Sequence, residues 1–193
     1  MARPWLPIPA AVLAAAAACT SFSENFYEVE RGRFYRSAQP DRQQLTRRIW
    51  QHEIETVLRV RAGAPGDEDY EASRTAAEAA GVDFVQVPLS ASDLPSRAAL
   101  VELCDVLEHG RYPMLVHCQA GADRTGFVAA LYVLQTTGDL DAARAELAFF
   151  PFGHLPWFGS DMPERLLARY EPHLGAVSFC EWARTQYDPE APR

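Results

Sequence analysis

The chain contains no lysine, so all 18 of its basic residues are arginine. Without lysine it has neither the lysine of a Walker motif nor an amine for Schiff-base chemistry. Acidic residues outnumber basic ones and give a formal net charge of −8. A general nucleic-acid binder needs a basic surface, so the charge predicts no nucleic-acid partner. If the chain binds phosphate, the groups that bind it must be confined to a local site.

The chain also lacks repeats and any Cys/His cluster with metal-ligand spacing, so we predict no metal and no cofactor. With 193 residues, 48% of them hydrophobic, it has the composition of a single globular domain. Short apolar segments alternate with helical patterns, which predicts an α/β fold with a central, mostly parallel sheet flanked by helices. The predicted strands are Thr56–Val60, Asp83–Val87 and Met114–Val116. The predicted helices are Asp41–Glu53, Asp67–Ala80, Pro95–Glu108, Thr125–Gln135, Asp139–Phe149 and Met162–Tyr170.

Residues 1–18 are predicted to be an export signal and not part of the fold. Arg3 precedes an Ala-rich apolar run that has the length of a signal peptide and is too short for a transmembrane helix. Small residues before Cys19 resemble a bacterial lipoprotein site, with a lipid anchor at Cys19, although Ala16 stands where such sites usually carry Leu. Plain secretory cleavage is the alternative. Both interpretations predict an exported bacterial protein, either periplasmic or membrane-anchored.

Cysteine is scarce, with four residues in the chain. If Cys19 is acylated, three remain, and an odd number cannot pair completely. A disulfide between Cys104 and Cys180 is one option in an oxidising compartment, and a reversible bond between Cys104 and Cys118 is another. The sequence leaves both open.

The most informative segment is MLVHCQAGADRTG at residues 114–126. It combines an apolar strand, a tight loop and the start of an apolar helix, with Cys118 and Arg124 at the two ends of the loop. Amide groups at a helix N-terminus bind anions and favour a thiolate. The segment therefore predicts a phosphate-binding loop with a nucleophile at its floor. Gly121 and Thr125 argue against the alternative of a buried structural cysteine beside a solvent-facing arginine.

The pattern His117-Cys118-x5-Arg124-Thr125-Gly126 resembles the signature of the cysteine-dependent protein tyrosine phosphatase superfamily, and its bacterial dual-specificity-like branch fits best. Two further segments, FYRSAQP at 34–40 and TVLRVR at 56–61, are similar to the opening elements of that branch. The resemblance covers residues 26–174, which we predict to be the catalytic domain. Residues 175–193 then form a C-terminal extension.

This resemblance implies hydrolysis of a phosphomonoester through a phosphocysteine on Cys118. Arg124 then binds two phosphate oxygens, Thr125 hydrogen-bonds the thiolate, and His117 orients the loop and keeps Cys118 ionised. The N–H groups of the loop bind the remaining phosphate oxygens. The loop residues are Gln119, Ala120, Gly121, Ala122, Asp123 and Arg124.

The leaving group must be protonated, and Asp93 is the candidate acid because it follows a strand and precedes a helix. That position is at the carboxyl edge of the sheet, where the loop also lies. The alternative for Asp93 is a turn or a helix cap, and Asp123 is the second choice for the acid. A carboxylate in the loop also works against highly anionic substrates.

We therefore expect the substrate to be a phosphorylated protein or a small phosphomonoester. An inositol-phosphate or phosphoinositide phosphatase of the same fold is one alternative, and a phosphate-binding pseudophosphatase is another. Arg36, Arg59 and Arg61 lie at strand ends and are expected to be surface salt-bridge partners, with the pocket mouth as the alternative. His154 lies in an aromatic segment, residues 149–158, that is expected to close the core, with a wall of the pocket as the alternative.

Overall fold

The computed structural model describes residues 24–191, so the predicted export signal and Cys19 lie outside the described residues. Within this range five strands form one sheet: β1 (Tyr27–Glu30), β2 (Phe34–Ser37), β3 (Thr56–Arg59), β4 (Asp83–Gln86) and β5 (Met114–His117). Their order is β1-β2-β5-β3-β4. Only the β1–β2 pair in this sheet is antiparallel. The predicted α/β fold with a mostly parallel sheet is confirmed.

Helices connect and cover the strands. They are α1 (Arg42–His52), α2 (Glu68–Ala80), α3 (Arg97–His109), α4 (Asp123–Thr137), α5 (Leu140–Ala145), α6 (Met162–Tyr170) and α7 (Phe179–Thr185). Side-chain caps set several starts: Asp41 accepts the Gln44 N–H at 2.7 Å, and Ser96 accepts the Ala99 N–H at 3.2 Å.

The helix predicted over Asp139–Phe149 is wrong at its end, because α5 stops at Ala145. A short helical segment, Phe149–Phe152, follows, but Phe150 within it has extended dihedrals of −108° and 127°. Phe150 precedes Pro151, and a residue before proline is pushed out of the helical region.

Both faces of the sheet are buried, as the apolar run of β5 requires. Successive strand residues point to opposite faces, so Val57 and Leu115 pack with α1 and α2, while Leu58 and Val116 pack with α3, α4, α6 and α7. Each fully buried Leu or Val contributes roughly 1.5–3 kcal/mol relative to exposure. No helix among residues 24–191 is both long enough and apolar enough to span a membrane.

The register of the sheet brings three strand ends together. His117 at the end of β5 lies opposite Ser37 at the end of β2 on one side and Arg59 at the end of β3 on the other. Because these strands are parallel, the segments that follow them start at the same edge. This carboxyl edge holds the loop between β5 and α4.

Cys104 in α3 and Cys180 in α7 form a disulfide, one of the two pairings that the sequence left open. Cys118 is the free cysteine of the described range. The bond ties α7, in the predicted C-terminal extension, to the helix that leads into β5. The boundary predicted at residue 174 stays a prediction.

We expect the Cys104→Ser/Cys180→Ser variant to lose about 4 kcal/mol of unfolding free energy, because the bond closes a long loop in the unfolded chain. The two cysteines are 76 residues apart. Urea denaturation of the oxidised wild type and the variant measures the difference. Cys118 is retained in both proteins, so its reactivity serves as an internal control. Equal unfolding midpoints at equal slopes would show that the bond contributes nothing.

Candidate active site

Cys118 begins the loop that joins β5 to α4, and its side chain is buried. The Gly121 N–H donates to the Cys118 sulfur at 3.3 Å. A hydrogen bond from an amide to sulfur stabilises a thiolate more than a neutral thiol. The α4 N-terminus has no side-chain cap, so its first N–H groups remain available to an anion.

The carbonyl groups of four consecutive loop residues all accept hydrogen bonds from donors outside the loop. Gln119 O accepts the Gln39 N–H at 3.0 Å, Ala120 O accepts Asn25 Nδ2 at 2.8 Å, and Gly121 O and Ala122 O accept Arg36 Nη2 at 3.0 and 3.4 Å. In a trans peptide the N–H points opposite to the carbonyl. Fixing the carbonyls outward therefore turns the amide donors towards the inside of the loop.

Gly121 is required by this geometry. Its φ is +71°, and a Cβ at this position would lie 2.5 Å from Ala38 N and 2.6 Å from the Ser37 carbonyl carbon. Both contacts are to backbone atoms that cannot move aside. The loop therefore lies directly against the end of β2, where only glycine fits.

Arg36 binds the loop from the protein interior. Its Nη1 donates to the backbone O and to Oε2 of Glu146, each at 2.7 Å, and its guanidinium lies 3.8 Å from the centroid of the Phe152 ring. Burial lowers the pKa of Arg36 and the Glu146 carboxylate raises it, but a guanidinium stays protonated in proteins. The expectation of a surface salt bridge is wrong for Arg36, because its side chain is fully buried.

The same correction applies to Arg59, which is buried at the end of β3 and donates from Nη1 to Gln86 Oε1 at 2.6 Å. It therefore joins the ends of β3 and β4. Arg61 forms the predicted type of ion pair, with Asp69, and both side chains are partly exposed. Because Arg36 and Arg59 are buried, the alternative of a position at the pocket mouth is also not favoured for them.

His117 is fully buried at the end of β5. Burial lowers its pKa to about 3, outweighing the backbone of Cys118, which acts in the opposite direction; the charges of nearby arginines also lower it. The imidazole is therefore neutral, and among residues 24–191 neither ring nitrogen has a hydrogen-bond partner. Its predicted role in orienting the loop has to operate through packing or a neutral N–H, not through positive charge.

Arg124 and Thr125 lie in the first turn of α4, which starts two residues before the predicted Thr125. Arg124 Nε and Thr125 Oγ1 are buried and have no partner among residues 24–191. Leaving a buried polar group without a partner costs about 1–3 kcal/mol, so each such group needs an explanation. Phosphate binding by Arg124 and the hydrogen bond from Thr125 to the thiolate stay predictions.

Asp93 is exposed in the segment that follows β4. Its carboxylate accepts the Ser90 hydroxyl at 2.8 Å and the Ser92 hydroxyl at 3.3 Å. The segment rests on α6, where Arg165 Nη1 donates to Ser92 O at 2.9 Å. These bonds are those of a local turn, the alternative that the sequence left open. The role of Asp93 as the acid stays a prediction.

Asp123 has a partner that the sequence did not reveal. His154 is only 1% exposed, and its Nδ1 lies 2.6 Å from Asp123 Oδ1 while its Nε2 lies 2.5 Å from Glu164 Oε1. Burial lowers the pKa of His154, but the two carboxylates outweigh it and raise the pKa to about 9. His154 is therefore an imidazolium held between the first turn of α4 and α6.

Three rings of the aromatic segment do not close the core as expected. Phe149, Phe150 and Trp157 are exposed, the last two by 78% and 73%. The segment is nevertheless fixed beside the loop, because Asn25 Nδ2 donates to Phe152 O at 2.9 Å as well as to Ala120 O. Exposed aromatic rings thus belong to a segment that is tied to the loop through Asn25.

One group of metal-ligand type occurs within residues 24–191, at Asp105, Glu108 and His109 on the surface of α3. Arg184 Nη2 lies 2.6 Å from a carboxylate oxygen of both Asp105 and Glu108. The two carboxylates already have a cation, and the group lies outside the loop at the carboxyl edge.

Solved phosphatases share this fold. TpbA of P. aeruginosa is 23% identical over 84% of this chain and 89% of its own, with a TM-score of 0.61. A second TpbA structure, in complex with pTyr, has a TM-score of 0.60. The core catalytic domain of the PP-IP phosphatase SIW14 from S. cerevisiae is 22% identical over 76% of this chain and 85% of that chain, with a TM-score of 0.55. No curated protein sequence matches the chain significantly.

The fold and the signature loop define a member of the cysteine-dependent protein tyrosine phosphatase superfamily. Within it, the family described as "DSP-PTPase phosphatase fused to NAD+ Kinase" matches residues 9–149, and the chain belongs to that family. The matched range ends after α5, so it contains the whole sheet and the loop at its carboxyl edge.

We expect the free energy of unfolding to fall as the pH rises from about 6.5 to about 9. The folded state holds the proton on His154 up to a pKa of about 9, whereas an unfolded histidine loses it near 6.5. The contribution of His154 is thus complete below pH 6.5 and lost above pH 9, and it amounts to at most about 3–4 kcal/mol. Urea denaturation at both pH values measures the fall. The fall should be smaller by this amount in His154→Gln, and an identical pH dependence in the two proteins would contradict the assignment of a charged His154.

Proposed function

We propose that the chain hydrolyses phosphomonoesters through a phosphocysteine on Cys118, as a protein tyrosine or dual-specificity phosphatase. The observation behind the proposal is the loop itself, whose carbonyls are bound from outside and whose amide at Gly121 points at the sulfur. A thiolate under a ring of inward amides can attack a phosphate that those amides hold.

The chemistry has two steps. In the first, the Cys118 thiolate attacks phosphorus in line with the leaving oxygen, so that an S–P bond forms and the P–O bond breaks. The loop amides and the Arg124 guanidinium bind the three peripheral oxygens, and a carboxylic acid protonates the leaving oxygen. In the second, water attacks phosphorus, the carboxylate left by the first step accepts a proton from that water, and the S–P bond breaks while the Thr125 hydroxyl donates to the departing thiolate.

Two features support a phosphorylated protein or aryl phosphate as the substrate. The exposed rings of Phe150 and Trp157 lie in a segment fixed to the loop, and aromatic rings favour contact with another ring. A neighbouring cavity of about 570 Å³ is bordered by Gln119 and is rich in carboxylates. Its acidic residues are Glu24, Asp41, Glu68 and Asp69, with Arg42 as a basic residue.

An inositol-phosphate or phosphoinositide phosphatase remains the second candidate, because SIW14 has the same fold and is a PP-IP phosphatase. Two of the four carboxylates, Glu24 and Asp69, are paired with Arg48 and Arg61, so the cavity opposes additional phosphates mainly through Asp41 and Glu68. Relative kcat/KM values for a phosphotyrosine peptide and for inositol hexakisphosphate separate the two classes. The proposal requires the peptide to be preferred.

Cys118→Ser is expected to reduce hydrolysis by at least about 10³-fold while retaining tungstate binding, because the loop binds anions through amides and Arg124. Arg124→Ala should lose both properties. Arg111→Ala is a matched control, since Arg111 pairs with Glu55 and Asp83 and lies outside the proposed site. Steady-state kinetics and calorimetry give the two readouts. Turnover by Cys118→Ser within tenfold of the wild type would exclude the covalent mechanism.

The identity of the acid is tested by comparing Asp93→Asn with Asp123→Asn. If Asp93 is the acid, Asp93→Asn slows hydrolysis of poor leaving groups by about 10²- to 10⁴-fold and removes the basic limb of the pH profile. Activated aryl phosphates, which need no acid, are spared. Asp141→Asn, an exposed carboxylate on α5, is the control. The same pattern in Asp123→Asn with Asp93→Asn unaffected would transfer the role to Asp123.

A further inference from the structure

The ion triad Asp123–His154–Glu164 connects three parts of the protein. Asp123 belongs to the first turn of α4, between Cys118 and Arg124 of the candidate site. His154 lies in the aromatic segment, and Glu164 lies in α6. Both ring nitrogens of His154 are occupied by carboxylates, an arrangement that satisfies a protonated imidazole and leaves one carboxylate without a donor if the ring is neutral.

The place of this cation matters because Asp123 is a poor residue for an anion site. A carboxylate in the first turn competes with phosphate for the same amides and repels a dianion through a weakly screened interior. Its side chain is only 23% exposed, so water screens it poorly. A positive charge 2.6 Å away offsets this repulsion and occupies one oxygen of the carboxylate. The second carboxylate on His154, that of Glu164, is 40% exposed and is better screened by water.

We propose that His154, charged and held by Glu164, is a positioning residue that neutralises Asp123 and fixes the first turn of α4, so that the phosphate loop accepts a dianion. The inference rests on the proposed function for its role in turnover. Its effect on anion affinity does not require turnover.

A charge role of His154 and a purely structural role predict different anion affinities when His154 and Asp123 are both substituted. If His154 neutralises Asp123, His154→Gln leaves a free carboxylate at the loop, and Asp123→Asn in the same protein removes that carboxylate. Affinity should then return. If His154 serves only to pack the segment, the second substitution cannot restore anything. A double-mutant cycle separates the two cases.

The experiment is calorimetric titration with sodium tungstate at neutral pH, using the wild type, His154→Gln, Asp123→Asn and the double variant. We expect His154→Gln to bind about tenfold more weakly or worse, and the double variant to bind within about threefold of the wild type. Asp123→Asn should bind no more weakly than the wild type. His109→Gln, an exposed histidine on α3, is the control and should leave the affinity unchanged. Thermal melting verifies that each variant is folded.

Three results overturn the inference: unchanged affinity in His154→Gln, a double variant as weak as His154→Gln, or a tenfold loss in Asp123→Asn. The third remains decisive if His154→Gln does not fold. A wild type that binds no tungstate overturns both this inference and the proposed function. A wild type that binds tungstate with the expected cycle but hydrolyses no phosphomonoester contradicts the proposed function alone.

Discussion

The buried guanidinium of Arg36 is the contact on which the site depends. It binds the Gly121 carbonyl at 3.0 Å on one side and Glu146 at 2.7 Å on the other. Removing Glu146 would leave the buried Arg36 charge without a counter-ion, which costs more than the pair contributes. The end of β2, the loop after β5 and the turn after α5 are therefore held as one unit, and the shape of the loop follows from that unit.

Charge is distributed unevenly in this protein. The chain carries a formal charge of −8, yet two buried cations, Arg36 and His154, contact the loop and the first turn of α4. Both cations are paired with carboxylates, Arg36 with Glu146 and His154 with Asp123 and Glu164, so they offset acidic charge beside the loop and create no positive surface. An acidic protein can in this way hold a site for an anion without lysine and without a basic surface.

The sheet, its parallel arrangement and the position of the loop were predictable because each rests on local pattern: apolar strands, caps and the spacing from His117 to Gly126. The position of Arg36 in an apolar strand indicates burial and pairing, because a charged residue inside such a strand is often buried and paired. The prediction of a surface salt bridge missed this. Asn25 gave no signal, because its partner at the loop is 95 residues away. The segment of His154 indicated a wall of the pocket as an alternative, but the pairing with Asp123, 31 residues away, could not be predicted. The segment 149–158 was misjudged because composition does not distinguish exposed aromatics from buried ones.

The central claim is that phosphate passes through the sulfur of Cys118. It is tested most directly by a denaturing quench during turnover of p-nitrophenyl phosphate, followed by proteolysis and mass spectrometry of the peptide that contains Cys118. The account predicts a phosphate adduct on the Cys118 sulfur, present only while substrate is being turned over. Full steady-state turnover with phosphate on another residue, or on none across all quench times, would contradict it.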